Sequence, residues 1–209
     1  MTQPDSDVSA HWDARFSQEE YVYGTKPNDY LVECTPSLPP PPARVLSLGE
    51  GEGRNGVYLA GLGYRVTAVD ASAVGLRKAE HLAAQRGVSL ERVHSDLGDY
   101  AIAPGAWDAI ISIFCHMPMP LRRQVYRAAL AGLRPGGVLV LEAYTPAQLA
   151  LRTGGPPVRE RLYTAEELRE DFAGLEFSVL RELERDVVEG SLHTGRAAVV
   201  QVLGRKPAP

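Results

Sequence analysis

The feature that most constrains this 209-residue chain is an alternation of short apolar runs with helix-patterned segments, which begins around "VLSLGEGEGRNG" at residues 45–56. "ARVLSL" (43–48) is short and apolar, as a buried strand is, and stops at Gly49. "RNGVYLAGLG" (54–63) is helix-like and closes on glycine, and "YRVTAVD" (64–70) is a β-branched strand ending in an acid. "SAVGLRKAEHLAAQRG" (72–87) spaces its apolar residues helically and stops at Gly87. "RVHSDL" (92–97), "WDAIISIF" (107–114) and "VLVLEAY" (138–144) read as further strands, and "PLRRQVYRAALAGLRPGG" (120–137) as a helix opened by a proline. "TAEELREDFAG" (164–174) places Thr164 and Glu167 at capping-box spacing. "EFSVLRELERDVVEG" and "HTGRAAVVQVLG" then read as two strands joined by a turn at Gly190. Repeated strand–helix units imply a parallel sheet with right-handed crossovers. The expected fold is α/β: a Rossmann-like, doubly wound, three-layer αβα arrangement whose seven-stranded sheet is mostly parallel, with an antiparallel last strand.

At this length one domain is expected. Four prolines, Pro39 to Pro42, cannot continue a helix and divide the chain into an arm with its connector (1–42) and a core (43–206). The arm is too short to fold alone and carries Trp12, Phe16, Tyr21, Tyr23 and Tyr30, so it is expected to pack on the core as a lid. The net charge of −4 and the absence of a basic run argue against nucleic acid as the main ligand. Two cysteines far apart, Cys34 and Cys115, suit a reducing cytosol and lack metal-ligand spacing. No apolar run approaches the roughly 18 residues needed to span a bilayer, and the first sixteen residues lack a signal pattern. A cytoplasmic protein, monomeric or homodimeric, bound to neither membrane nor metal, is the expectation.

Gly51, Gly53 and Gly56 satisfy GxGxxG, and Asp70 follows at the end of the second strand, where an acid can bind ribose hydroxyls. Spacing alone would admit a dinucleotide. Glu50 and Glu52 argue otherwise, because carboxylates beside a pyrophosphate repel it. S-adenosyl-L-methionine carries no phosphate and presents a sulfonium and an ammonium, which an acidic glycine loop suits. The alternatives are an NAD-dependent oxidoreductase using the same loop and a catalytically silent cofactor-binding protein.

On these residues the chain resembles the class I S-adenosylmethionine-dependent methyltransferases over roughly 43–205. "VLSLGEGEG" is similar to their first motif, Asp70 to the second, and "SDL" (Asp96, Leu97) to the third. The resemblance implies a carboxylate on the adenine amino group and a backbone N–H on the ring. The head segment "WDARFSQEEYVYGTKPNDYL", with its "YG..PN..L" pattern, resembles the tellurite-resistance and thiopurine methyltransferase branch. Many members carry an acid where Ser47 stands, so one carboxylate is missing and Glu50 is a candidate to replace it. The implied cofactor-binding set is Tyr23, Lys26, Gly49, Glu50, Gly51, Gly53, Asn55, Asp70, Ala71, Asp96, Leu97 and Ile113.

Methyl transfer is an in-line displacement, so alignment matters most. A thiolate or telluride needs no base, whereas an oxygen or nitrogen acceptor more often does. Ligands of open α/β sheets bind outside the carboxyl ends of the strands. That places "IFCHMP", "AYTP" and "EGSLHTGR" at the site, and makes His116, Tyr144, His193 and Arg196 the candidates for the chemistry, with Cys115 a small buried side chain. The acceptor is expected to be a small molecule, possibilities including a sulfur, selenium or tellurium nucleophile. Tyr21 or Tyr23 against the sulfonium would make a cation–π contact, and Lys26 could meet a carboxylate.

Overall fold

The computed structural model describes residues 8–208. Strands β1 (Arg44–Leu48), β2 (Arg65–Asp70), β3 (Glu91–His94), β4 (Trp107–Ile113), β5 (Leu133–Tyr144), β6 (Glu176–Glu189) and β7 (His193–Arg205) form one sheet in the order β3-β2-β1-β4-β5-β7-β6. The first five run parallel, and β7 inserts antiparallel between β5 and β6. The expected fold is the observed one. The chain order reverses beside β1, so the carboxyl ends of β1 and β4 flank the switch point where such sheets bind ligands.

Helices α1 (Val8–Phe16), α2 (Asp29–Cys34), α3 (Arg54–Gly61), α4 (Ala73–Gln85), α5 (Met119–Gly132), α6 (Gln148–Leu151) and α7 (Ala165–Asp171) complete the described fold. Alternation along the strands divides the core. Leu46, Ile110 and Leu139 join Val125, Tyr126 and Ala129 of α5 and Leu168 of α7 on one face. Val45, Ile111 and Val140 join Tyr30 and Leu31 of α2 and Leu59 of α3 on the other. Each fully buried leucine or isoleucine contributes roughly 1.5–3 kcal/mol.

Helix ends follow the local sequence. Ser72 caps α4 through Gly75 N–H, and Thr164 and Glu167 form the expected capping box on α7. The largest departure from the sequence reading is at "LRPGG": α5 ends at Gly132, and residues 133–137 already belong to β5. Trp107 pairs with Leu133 ahead of a register shift, so the prolyl-glycine stretch is a bulge in the strand instead of a helix terminus.

Candidate active site

β1 stops at Gly49 for two physical reasons. Its φ of 65° is unfavourable for other residues, and a Cβ there would sit 2.7 Å from the Cys115 sulfur. Gly53, with φ 97°, leads into α3, where a Cβ would strike the Ala79 backbone at 2.6 Å. The glycine loop is thus clamped between the loop after β4 and helix α4.

Neither loop glutamate is left facing an open anion seat. The Glu50 carboxylate turns inward and accepts from Gly56 N–H at 2.6 Å, near the start of α3. Burial pushes its carboxyl up to about 7, against the lowering effect of the Ser47 hydroxyl and the Gly56 N–H. Glu52 pairs with Lys78 of α4 at 2.5 Å. The sequence argument from repulsion therefore has a different physical basis: the helix N-terminus that would cradle a phosphate already holds a carboxylate of the chain.

Asp70 ties the loop to the strand ends. One of its oxygens accepts from Gly51 N–H at 2.8 Å and the other from Ser72 N–H at 2.7 Å. Burial raises its carboxyl, which each N–H opposes. Asp96 accepts from Gly98 N–H at 2.7 Å, while Leu97 packs against the core. Ile113 is buried at the end of β4, and the Ala71 carbonyl meets the His94 ring. Asn55 accepts from Asn28 N–H at 2.9 Å, so it holds the arm. Lys26 is exposed and makes no hydrogen bond among the described residues.

The arm lies over this loop. Phe16 is buried and is the group that a Cβ at Gly51 would meet, at 3.2 Å. Asp13 accepts from the Ser72 hydroxyl and from Val74 N–H at the start of α4. Tyr21 serves Lys78, whose ammonium lies 4.8 Å from its ring centroid. Tyr23 takes a hydrogen bond from Arg15 at 3.0 Å and packs on His193, ring centroids 4.4 Å apart. The described part of the arm packs on the core; its first seven residues lie outside the described residues.

Beyond the strand ends stands an aromatic cluster of Phe114, His116, Tyr144, His193 and Tyr23. Phe114 lies 4.6 Å from Tyr144 and 4.8 Å from His193, centroid to centroid. Its φ of 51° is strained for a bulky residue and aims it into this cluster. His116 and His193 are held differently. His116 Nδ1 faces the Arg161 carbonyl at 2.7 Å, while Nε2 accepts from Tyr144 N–H at 3.4 Å. Both ring nitrogens serve the backbone, and burial pulls the imidazole down to about 3. His193 Nδ1 faces Glu189 at 3.6 Å. Arg196 is half exposed and pairs with Glu184 and Asp186 of β6, away from the cluster. Burial raises the Tyr144 phenol and pushes the Cys115 thiol up to about 12, which makes both poor nucleophiles.

The sequence reading missed the buried network beneath these rings. Asn28 donates to Glu142 at 2.7 Å and to Glu189 at 2.8 Å. Arg185 forks onto Glu142 at 2.8 and 2.6 Å, Gln201 donates to the same carboxylate, and Arg54 pairs with Glu189 at 2.7 Å. A signal existed: Glu142 is the lone acid inside the apolar "VLVLEAY" strand, and such a group must be partnered. Arg54 Nη1, His193 Nδ1 and Glu50 Oε2 are buried without a hydrogen-bond partner among the described residues. Unpartnered polar atoms of both a guanidinium and a carboxyl group at the loop and edge fit a ligand that carries charge of both signs, as S-adenosylmethionine does. Among the described residues no cluster of potential metal ligands occurs, and no helix is long and apolar enough to cross a membrane.

Comparison with known proteins follows this geometry. Residues 45–137 match the family model described as a methyltransferase domain. A ubiquinone biosynthesis O-methyltransferase of Xanthomonas campestris is 35% identical over 127 residues, covering 58% of this chain and 52% of the relative. The chain thus spans about half the length of that curated relative. Solved structures share the fold. A protein from work on converting a disulfide bond into a thioacetal group during echinomycin biosynthesis superposes with a TM-score of 0.76 at 20% identity, over 95% of this chain and 92% of that one. TehB from Haemophilus influenzae gives 0.69 at 18% identity, covering 95% and 67%. The N-methyltransferase NodS from Bradyrhizobium japonicum, solved with S-adenosyl-L-homocysteine, gives 0.70 at 13%, covering 97% and 100%.

Proposed function

We propose that this chain is an S-adenosylmethionine-dependent methyltransferase acting on a small molecule, on the premise that residues 45–137 form a methyltransferase domain. The cofactor is S-adenosylmethionine, which supplies an electrophilic methyl group. The observation that carries the reading is the filled seat at α3: with Glu50 on Gly56 N–H, the position a dinucleotide pyrophosphate needs is taken. The relatives likewise favour this reading over a nicotinamide oxidoreductase.

In this reading Asp70, held by two backbone N–H groups, offers its remaining lone pairs to the ribose hydroxyls. Asp96 and Leu97 border the adenine, Gly49 and Gly51 let the backbone approach, and the side chains of Phe16 and Tyr23 exclude water from the reacting end. Two acceptor classes come with it. The head pattern "YG..PN..L" favours a sulfur, selenium or tellurium nucleophile, which arrives ionised. A hydroxyl needs a base. Free thiols at Cys34 and Cys115 suit a cytoplasmic enzyme, working as a monomer or homodimer.

Calorimetric titration with S-adenosylmethionine, S-adenosylhomocysteine and NADH tests the reading. Micromolar binding of the first two without the third is expected; binding of NADH alone would overturn it.

A further inference from the structure

We infer that Glu189 and His193 form a carboxylate–imidazole pair that takes the proton from a neutral hydroxyl acceptor, so that the site is built for O-methylation. This deepens the proposed function and rests on it. Glu189 ends β6 and His193 opens β7, so the hairpin turn itself brings them together. The Nδ1 of His193 is buried without a hydrogen-bond partner among the described residues, and it faces the buried Oε2 of Glu189, which Arg54 holds at 2.7 Å, across 3.6 Å. That gap is beyond a hydrogen bond, and such contacts commonly tighten only when ligands are bound. With Nδ1 turned to Glu189, Nε2 is the nitrogen left for an acceptor. The ring lies among Tyr23, Phe114 and Tyr144, the last two at the carboxyl ends of β4 and β5.

Glu189 is equipped to stay ionised. Burial pushes its carboxyl up, but His193, Arg54 and Asn28 together hold it down to about 2. His193 itself is pulled down by burial and raised by Glu189, with Arg54 and Arg15 lowering it; the result lies below its ordinary value. The charged and titratable groups around it are Glu189 of β6, Arg54 of α3, Arg15 of α1, Tyr23 of the arm, Tyr144 of β5 and His116 after β4. The imidazole is therefore neutral at pH 7 and able to accept a proton. His116, whose two nitrogens serve the backbone, is not.

The step balances. The acceptor O–H bond breaks and its proton goes to His193 Nε2. The oxygen electron pair forms the new O–C bond, and the pair of the broken C–S bond stays on sulfur. The positive charge that entered as a sulfonium leaves as an imidazolium, which Glu189 stabilises and solvent deprotonates. Glu189 acts through His193 and is a positioning residue. A thiolate or telluride would gain nothing from this pair.

The test uses His193→Gln and Glu189→Gln in the full chain, with cofactor binding and circular dichroism confirming that each folds. Acceptors are a panel of phenols, catechols and aliphatic alcohols beside matched thiols. His193→Gln should lose hydroxyl methylation at least 100-fold while S-adenosylmethionine binding and any thiol methylation stay within threefold. In the protein without cofactor, ¹⁵N spectra should show His193 protonated at Nδ1, and Glu189→Gln should lower the pH at which the ring titrates and shift the kcat profile the same way. Failure of the wild type to bind S-adenosylmethionine would sink the proposed function. Binding with thiol-only activity, binding without turnover of any hydroxyl, or a variant as active as wild type on hydroxyls would each overturn the dyad alone.

Discussion

Replacing Asn28 by alanine should unfold the chain well before the wild type melts. The Asn28 side chain is fully buried and makes three hydrogen bonds: its amide donates to Glu142 at 2.7 Å and to Glu189 at 2.8 Å, and its oxygen caps α2 by accepting from Leu31 N–H at 2.9 Å. Hydrogen bonds to charged groups contribute about 1.5–3 kcal/mol each, and a cap about 1 kcal/mol. Glu142 keeps Arg185 and Gln201, and Glu189 keeps Arg54, so neither acid is stranded and the lower end applies. The expected loss is about 4 kcal/mol. For a chain of this size that lowers Tm by about 8–16 °C. Asn28→Ser separates the two roles, because serine still caps but cannot bridge two acids; it should recover only about 1 kcal/mol. Scanning calorimetry of the three proteins decides it. A fall in Tm of less than about 3 °C for Asn28→Ala, or full recovery by serine, would show that the bridge is energetically idle.

Two further outcomes follow from the loop. Asp70→Ala should weaken S-adenosylmethionine binding by about 1.5–3 kcal/mol, the scale of lost charge-assisted bonds, because it removes both the proposed ribose ligand and the tie to Gly51 and Ser72; unchanged affinity by calorimetry would refute that role. Glu50→Gln tests the sign of a raised carboxyl: with a folded value of about 7 above its ordinary 4.5, Glu50 stabilises most below pH 4.5 and loses that contribution as pH rises through 7. Glutamine cannot ionise, so urea unfolding should show the variant gaining on wild type by up to about 3 kcal/mol between pH 4.5 and 8; an equal difference at both pH values would mean the carboxyl is not raised.

The sheet was legible because a buried parallel strand announces itself locally. "WDAIISIF" and "VLVLEAY" are predominantly apolar since both their faces are covered, and "SAVGLRKAEHLAAQRG" keeps helical spacing between a serine cap and Gly87. "LRPGG" misled because proline and glycine usually end a helix, whereas here tertiary pairing of Leu133 with Trp107 draws the stretch into β5. At the loop, the glycines were readable and the directions of the glutamates were not. Whether Glu52 faces a ligand or Lys78 depends on the packing of α4, fixed by residues 26 positions downstream. By its place after β4, His116 is the better base candidate in sequence; the Arg161 carbonyl, 45 residues away, makes it a backbone anchor instead.

The buried charges at the carboxyl edge are costly as stability devices, since well-packed apolar groups in their place are often neutral or better. Their value lies in what they fix. Asn28, Arg54, Glu142, Arg185, Glu189 and Gln201 come from five separate parts of the chain, and their bonds set the arm, the start of α3 and the β6–β7 hairpin in one arrangement. Arg54 follows directly on the glycine loop, and its Nη2 meets Glu189 Oε2 at 2.7 Å, the same oxygen that faces His193 at 3.6 Å. One carboxylate oxygen thus ties the end of the glycine loop to the hairpin imidazole.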